Sequence, residues 1–186
     1  IGRDPLSVTT FFEVVNGKLT ADKGSYEWGT TITPAYLPND NTEFFKGVDL
    51  NLMEWLRQFV PPFVKDVDED FLRGFLGKML FSGDDANKKT DALSGGEAAR
   101  LIFCKLMLQK PNTLVLDEPT NHLDLESISA LTLALQKFDG TVLVVTHDHG
   151  LIEEVATRIW NVHGHVVEDF KGPYEEFQAD AAKAGR

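Results

Sequence analysis

An apolar run, Thr113 to Leu116, ends in two adjacent carboxylates, Asp117 and Glu118. A carboxylate buried without a partner carries a heavy desolvation cost, so Asp117 at the end of a strand-like segment calls for a cation. Mg²⁺, a hard ion that takes oxygen ligands, suits it. Neighbouring side chains diverge on an extended segment, so Glu118 addresses a different point and suits a general base acting on a water beside the metal. Pro119 ends the strand. A second apolar run, TVLVVTH, ends at His147, and upstream lies Ser94-Gly95-Gly96-Glu97. That tetrapeptide fits a capping box, with Ser94 and Glu97 satisfying amides of a first helical turn. Its two glycines also let backbone amides approach an anion, and beside the acid pair we read it as a phosphate contact.

These groups need elements to hold them. Glu97 to Gln109 reads as a mostly apolar helix, and Pro111 and Asn112 turn the chain into the strand ending at Asp117. Leu125 to Phe138 is amphipathic, with Ile128, Leu131, Leu135 and Phe138 recurring at intervals of three and four. Asp139 and Gly140 then lead into the strand towards His147. Strand, helix, strand implies parallel pairing, and in such sheets working residues gather beyond the carboxyl ends of the strands. Asp117, Glu118 and His147 are therefore expected on one edge. Elsewhere, Phe11 to Leu19 reads as a short helix, Gly24 to Pro38 as turn and strand segments, and Leu50 to Phe59 and Phe71 to Phe81 as helices separated by Pro61 and Pro62. The acidic run Asp66, Asp68, Glu69, Asp70 favours a helix N-terminus. Ile159 to Val162 and His165 to Glu168, around His163 and Gly164, read as a closing hairpin.

Composition bounds the reading. The 186 residues, 42% of them hydrophobic, suffice for one domain or a large part of one. No apolar run approaches the roughly 20 residues that span a bilayer, and no leader resembles a signal peptide. Cys104, the one cysteine, cannot form an internal disulfide and reads as a small core residue. These features predict a cytoplasmic location. With 18 basic and 29 acidic residues the net charge is −11, and no basic cluster offers a nucleic-acid platform. His149, His163 and His165 read as surface or turn residues, without the Cys or helical His spacing of a zinc site.

Taken together, the motifs resemble those of the ATP-binding cassette (ABC) ATPases. Leu93 to Glu97 is similar to their signature, Leu114 to Glu118 to their Walker B strand, and His147 to their switch histidine. Asn121, His122, Leu123 and Asp124 resemble the D-loop of the F-type subgroup (ABC-F), tandem-cassette proteins that act on ribosomes. Trp28 to Pro38, Lys105 to Pro111 and the Pro173 to Phe177 tail are most similar to that subgroup's second, carboxyl-terminal cassette. The resemblance implies an α/β, P-loop NTPase-like core with a mostly parallel sheet and a helical signature subdomain. The expected partition is residues 1–42 for the P-loop to Q-loop region, 43–110 for the helical part and 111–186 for Walker B, D-loop, switch histidine and hairpin.

The resemblance also implies MgATP as ligand and hydrolysis to ADP and phosphate. Asp117 and Thr9 would hold Mg²⁺, Glu118 would polarise water and His147 would sense the γ-phosphate. Ser94, Gly95, Gly96 and Glu97 would close over the nucleotide of a second cassette, so a complete site needs two. Asp124 has two compatible readings, as N-cap of the following helix and as the D-loop aspartate facing the partner. Asn39 takes the place of the Q-loop glutamine, with an amide oxygen for Mg²⁺ or water but one methylene less reach. For the parent protein the ribosome is the implied partner, and no membrane is.

The amino terminus departs from the pattern. IGRDPLSVTT aligns with the family's P-loop only if Ser7 replaces its last glycine and Val8 its lysine. Gly2, Thr9 and Thr10 remain of its usual chemistry. Losing a preorganised transition-state contact is worth about 2.7 to 4 kcal/mol, so a turnover lower by roughly a hundredfold or more is expected. The alternative is then a weakly hydrolysing or non-hydrolysing cassette that donates its signature to a partner; the ATPase subunit of a membrane transporter is a further one. Only Ile1 precedes Gly2, which reads as a start inside the domain, after the β-subdomain whose aromatic stacks on adenine.

Overall fold

In the computed structural model, residues 5–65, 67–121, 123–163 and 166–183 are described. The central element is β2 (Thr113–Asp117), every residue of which is buried. Such a continuous apolar run is what a parallel strand covered on both faces requires. It lies between β1 (Pro34–Leu37) and β3 (Thr141–Val145), parallel to both. The start of this sheet is clasped by one side chain. Asn112 donates from Nδ2 to the Thr31 carbonyl at 2.7 Å and accepts the Thr33 amide on Oδ1 at 2.8 Å, while its own carbonyl accepts the Thr141 amide at 3.0 Å. Gly140 permits this closeness, because a Cβ there would meet the Asn112 oxygen at 2.4 Å. With the amino ends pinned, register carries Leu37 beside Leu116 and Asp117 beside Val145, so the three carboxyl ends finish together.

Between β1 and β2 the chain builds a helical layer of α2 (Leu52–Arg57), α3 (Glu69–Lys78) and α4 (Gly95–Gln109). The apolar stretch of α4 buries Leu101, Ile102, Cys104 and Leu108, joining this layer to the sheet. Lys110 ends α4 in the left-handed conformation at φ 49°, and Pro111 cannot continue the helix. Lys105, on the same helix, holds its ammonium over the rings of Phe44 and Phe59, at 4.4 and 4.7 Å. Burial pulls its pKa down. The contact ties the segment after β1 to α4.

Between β2 and β3 runs α5 (Leu125–Gln136), which packs against α6 (His149–Val155). An antiparallel pair follows, β4 (Ile159–His163) and β5 (Val166–Phe170), and then α7 (Tyr174–Lys183). Ile152, Ile159 and Tyr174 form a second small core there. Among the described residues no helix is long and apolar enough to cross a membrane.

Several boundaries differ from the sequence reading. The first helix, α1, spans Pro5–Val15 rather than starting at Phe11. Proline suits a first helical turn, where its missing amide proton would have no partner. The helix stops because the Asn16 side chain donates to the Phe12 carbonyl at 2.7 Å and Gly17 turns to φ 74°. α3 ends at Lys78 because Leu80 adopts φ 61°; its start is capped by Asp68, which accepts the Phe71 amide. Asp66 lies outside the described residues. α2 is shorter than expected, and α6, capped by Asp148, and α7 are elements the sequence reading did not place. The hairpin strands begin and end at His163 and Val166, with Gly164 and His165 outside the described residues.

Candidate functional site

All three strands deliver polar groups at their carboxyl ends: Asn39 follows β1, Asp117 and Glu118 end β2, and Thr146 and His147 follow β3. The ladder between β2 and β3 continues one step further, with the Glu118 amide donating to the Val145 carbonyl at 2.8 Å. Glu118 then turns to φ 51°. For a side chain with a Cβ this costs about 1–2 kcal/mol, the kind of local strain found where a side chain must be aimed. It swings the Glu118 carboxylate towards the next strand end. There Oε2 accepts the His147 backbone amide at 3.3 Å, and Oε1 lies 3.3 Å from His147 Nε2. Glu118 is nearly enclosed, whereas the imidazole is 77% exposed. The arrangement holds a carboxylate as acceptor beside a solvent-facing ring that can meet a ligand.

Asp117 points elsewhere. It is 1% exposed, and neither carboxylate oxygen has a hydrogen-bond partner among the described residues. Burial raises its pKa, the Thr9 side chain beside it opposes that shift, and the charge of Glu13 adds to it. Two orphaned, buried carboxylate oxygens are hard donors in need of a partner, so Asp117 fits the implied Mg²⁺. Thr9 stands on the same side, on α1.

Asn39 is joined to the D-loop: Asn121 donates from Nδ2 to its Oδ1 at 3.1 Å. A second link staples the D-loop to the β3 end, with the hydroxyls of Thr120 and Thr146 3.1 Å apart and the Asp148 amide donating to Thr146 at 3.0 Å. Neither Thr120, Thr146 nor Asn121's bond to Asn39 was foreseen. The threonines could have been noticed as hydroxyl residues flanking Glu118 and His147, but that pairing needs the register of β2 with β3. His122 lies outside the described residues. Asp124 caps α5, accepting the Ser127 amide at 2.8 Å, which holds its carboxyl below the usual range.

The signature tetrapeptide forms a reciprocal capping box. The Glu97 amide donates to Ser94 Oγ at 3.3 Å and the Ser94 amide donates to Glu97 Oε2 at 2.8 Å. Lys88 Nζ sits 2.7 Å from the other Glu97 oxygen. The Lys88 bond, followed by those from Ser94, lowers the Glu97 pKa to about 2. Both Glu97 oxygens are thus committed within the chain, leaving Ser94 and the amides of Gly95 and Gly96 as the ligand-facing groups of this turn.

At the amino terminus, Gly2 lies outside the described residues. Val8 is 4% exposed, on the same buried face of α1 as Phe12 four residues on. It supplies no cation. Thr10 is half-buried on the same helix.

Comparison with known proteins adds the family. The family model described as ABC transporter matches residues 8–121, more than half of the chain. The uncharacterized ABC transporter ATP-binding protein YkpA of Bacillus subtilis is 49% identical over 97% of the chain, and ABC transporter F family member 5 of Arabidopsis thaliana is 33% identical over 95%. The chain spans about a third of the length of YkpA and a quarter of the Arabidopsis protein. Among solved structures, the archaeal ribosome recycling factor aABCE1, in complex with ribosomal stalk protein aP1, superposes with a TM-score of 0.74 at 24% identity, covering 100% of this chain and 37% of that one. The ATP-binding cassette MJ0796, a dimer in a post-hydrolysis state bound to ADP and Pi, gives 0.73 at 19% identity, covering 91% and 82%. The structures share the fold, and the match to the family model shows that this chain belongs to the ABC transporter family of ATP-binding cassette ATPases.

Proposed function

We propose that the chain is part of the second cassette of an ABC-F-type protein, which binds MgATP and hydrolyses it between two cassettes while acting on the ribosome. The observation that carries the reading is the meeting of Glu118 and His147 at 3.3 Å beside an unpartnered, buried Asp117. Asp117 and Thr9, with Asn39 in support, would hold Mg²⁺, which supplies charge neutralisation for the terminal phosphates. Glu118 takes a proton from the attacking water, and the His147 amide holds that carboxylate in line. The exposed His147 ring meets the γ-phosphate. Ser94, Gly95 and Gly96 offer a hydroxyl and helix-start amides to the nucleotide held by the other cassette, and Asp124 would face that cassette as the D-loop aspartate. The ribosomal role is supported by the F-family relative and by the aABCE1 neighbour.

A second reading rests on Val8. With an apolar, buried residue where the P-loop lysine would stand, this half of the sandwich would bind nucleotide weakly and serve chiefly as signature donor. Glu118→Gln in the full-length protein separates the two. If this half hydrolyses, steady-state ATP turnover falls by roughly 10²–10⁴ in its share while nucleotide binding persists. If turnover is unchanged and Ser94→Arg still lowers it, the donor reading stands.

A further inference from the structure

The face of the sheet beneath α1 carries polar groups that the reading above does not use. Tyr36 is registered with Val115, and Asp117, two residues further along β2, projects to the same side of the sheet as Val115. Tyr36 and Asp117 therefore share one face. Helix α1 packs against β2, and on it Thr9 and Glu13, four residues apart, lie one above the other. Three oxygens of this cluster are buried without a hydrogen-bond partner among the described residues: Asp117 Oδ1, Asp117 Oδ2 and the Tyr36 hydroxyl. Unpartnered buried polar atoms are scarce in folded proteins, and three on one face of a sheet, under one helix, point to a ligand. Glu13, half-buried, has no ion-pair partner among the described residues. Lys18 lies 5.5 Å from the Tyr36 ring centre, but its ammonium is shared with Glu43 at 3.8 Å. Val8 brings no charge.

We propose that Glu13 and Tyr36, with Thr9 and Asp117, form a divalent-cation site that fills without nucleotide. The proposal rests on reading Asp117 as the metal-facing carboxylate. Asp117 is the direct ligand, and Glu13 and Tyr36 bond to the ion's water shell and orient it. The mutual influence of these groups agrees: burial, then Asp117, then Glu13 raise the Tyr36 pKa, and Glu13 raises that of Asp117. In a site with a P-loop lysine, an ammonium would offset this negative charge. Here Glu13 adds to it, and a divalent ion would neutralise it.

The test is Mn²⁺ alone, titrated into nucleotide-free full-length protein and followed by loss of the free-ion electron paramagnetic resonance signal. One Mn²⁺ per molecule should disappear with Asp117→Asn. Glu13→Gln should weaken that ion about tenfold, since one charge near a divalent ion is removed, and Tyr36→Phe should weaken it severalfold. Circular dichroism confirms that each variant is folded. Absence of an Asp117-dependent Mn²⁺, or unchanged affinity in Glu13→Gln, overturns the proposal. MgATP turnover of the same samples, with and without Glu118→Gln, keeps the two readings apart. Glu118-dependent turnover without nucleotide-free Mn²⁺ sinks only this inference, whereas loss of Glu118 dependence sinks the functional one.

Discussion

Asp117→Asn should make the metal-free protein more stable. Asp117 is covered to 1% exposure, with neither carboxylate oxygen bonded among the described residues. At neutral pH the fold must therefore either carry a poorly solvated charge or hold a proton. An isosteric amide removes the charge and brings donors of its own. Burying an imperfectly satisfied polar group costs about 1–3 kcal/mol in mutational data, and the site's place at a sheet edge argues for the lower half of that range. For a domain of this size 1 kcal/mol moves Tm by about 2–4 °C, so a rise of roughly 2–8 °C is expected in EDTA at pH 7. The pH dependence has a definite sign. Burial raises the folded pKa of Asp117 above its ordinary value of 3.8. Between those two values the folded state binds more protons than the unfolded one, so wild-type stability falls as pH rises through the window. The advantage of the asparagine variant should therefore shrink as pH is lowered through the folded pKa and vanish below 3.8. Adding Mg²⁺ should raise the wild-type Tm and leave the variant's unmoved. Calorimetry of the full-length protein from pH 3.5 to 8 reads all of this. A variant that melts at or below the wild type in EDTA throughout that range would refute the view of Asp117 as an uncompensated buried acid.

Glu97 behaves in the opposite sense. Its pKa is lowered from 4.5 to about 2 by Lys88 and Ser94, so its contribution is complete above pH 4.5 and is lost as pH falls towards 2. Glu97→Gln should be less stable than wild type at pH 7, and the gap should close over that interval in acid unfolding followed by circular dichroism. Ser94→Ala, which removes the other half of the capping box, should cost about 1 kcal/mol in denaturant titration. Lys110→Gly should raise stability by about 1 kcal/mol, because the left-handed conformation at φ 49° costs nothing without a Cβ; thermal melting checks it.

Much of the scaffold was open to inspection before any coordinates. The apolar run 113–117 and the amphipathic stretch after Asp124 are local patterns whose period reports strand or helix directly, and strand, helix, strand leaves parallel pairing as the economical arrangement. Boundaries were less accessible at the amino terminus. There the apolar pattern marks a helix only from Phe11, whereas the helix begins at Pro5, a residue at home in a first turn. Val8 shows the same limit: its apolar character was plain, but only the packing of α1 places it in the core rather than facing a ligand.

What the sequence determined alone were the chemical types and their order along the chain: an acid pair after a buried strand, a histidine after the next, and a capping box at the start of a long helix. Those follow from side-chain chemistry and from interactions within a few residues. Tertiary structure decided which groups meet. The 3.3 Å approach of Glu118 to His147, the bond from Asn121 to Asn39 and the placement of Tyr36 and Asp117 on one sheet face each join residues 29 to 82 positions apart. They depend on register, which Asn112 sets at the far end of the sheet, and on a positive φ at Glu118 that no local propensity favours. Contacts of that separation arise only when the sheet and its covering helix assemble, because nothing in a short window of sequence encodes the relative placement of two strands.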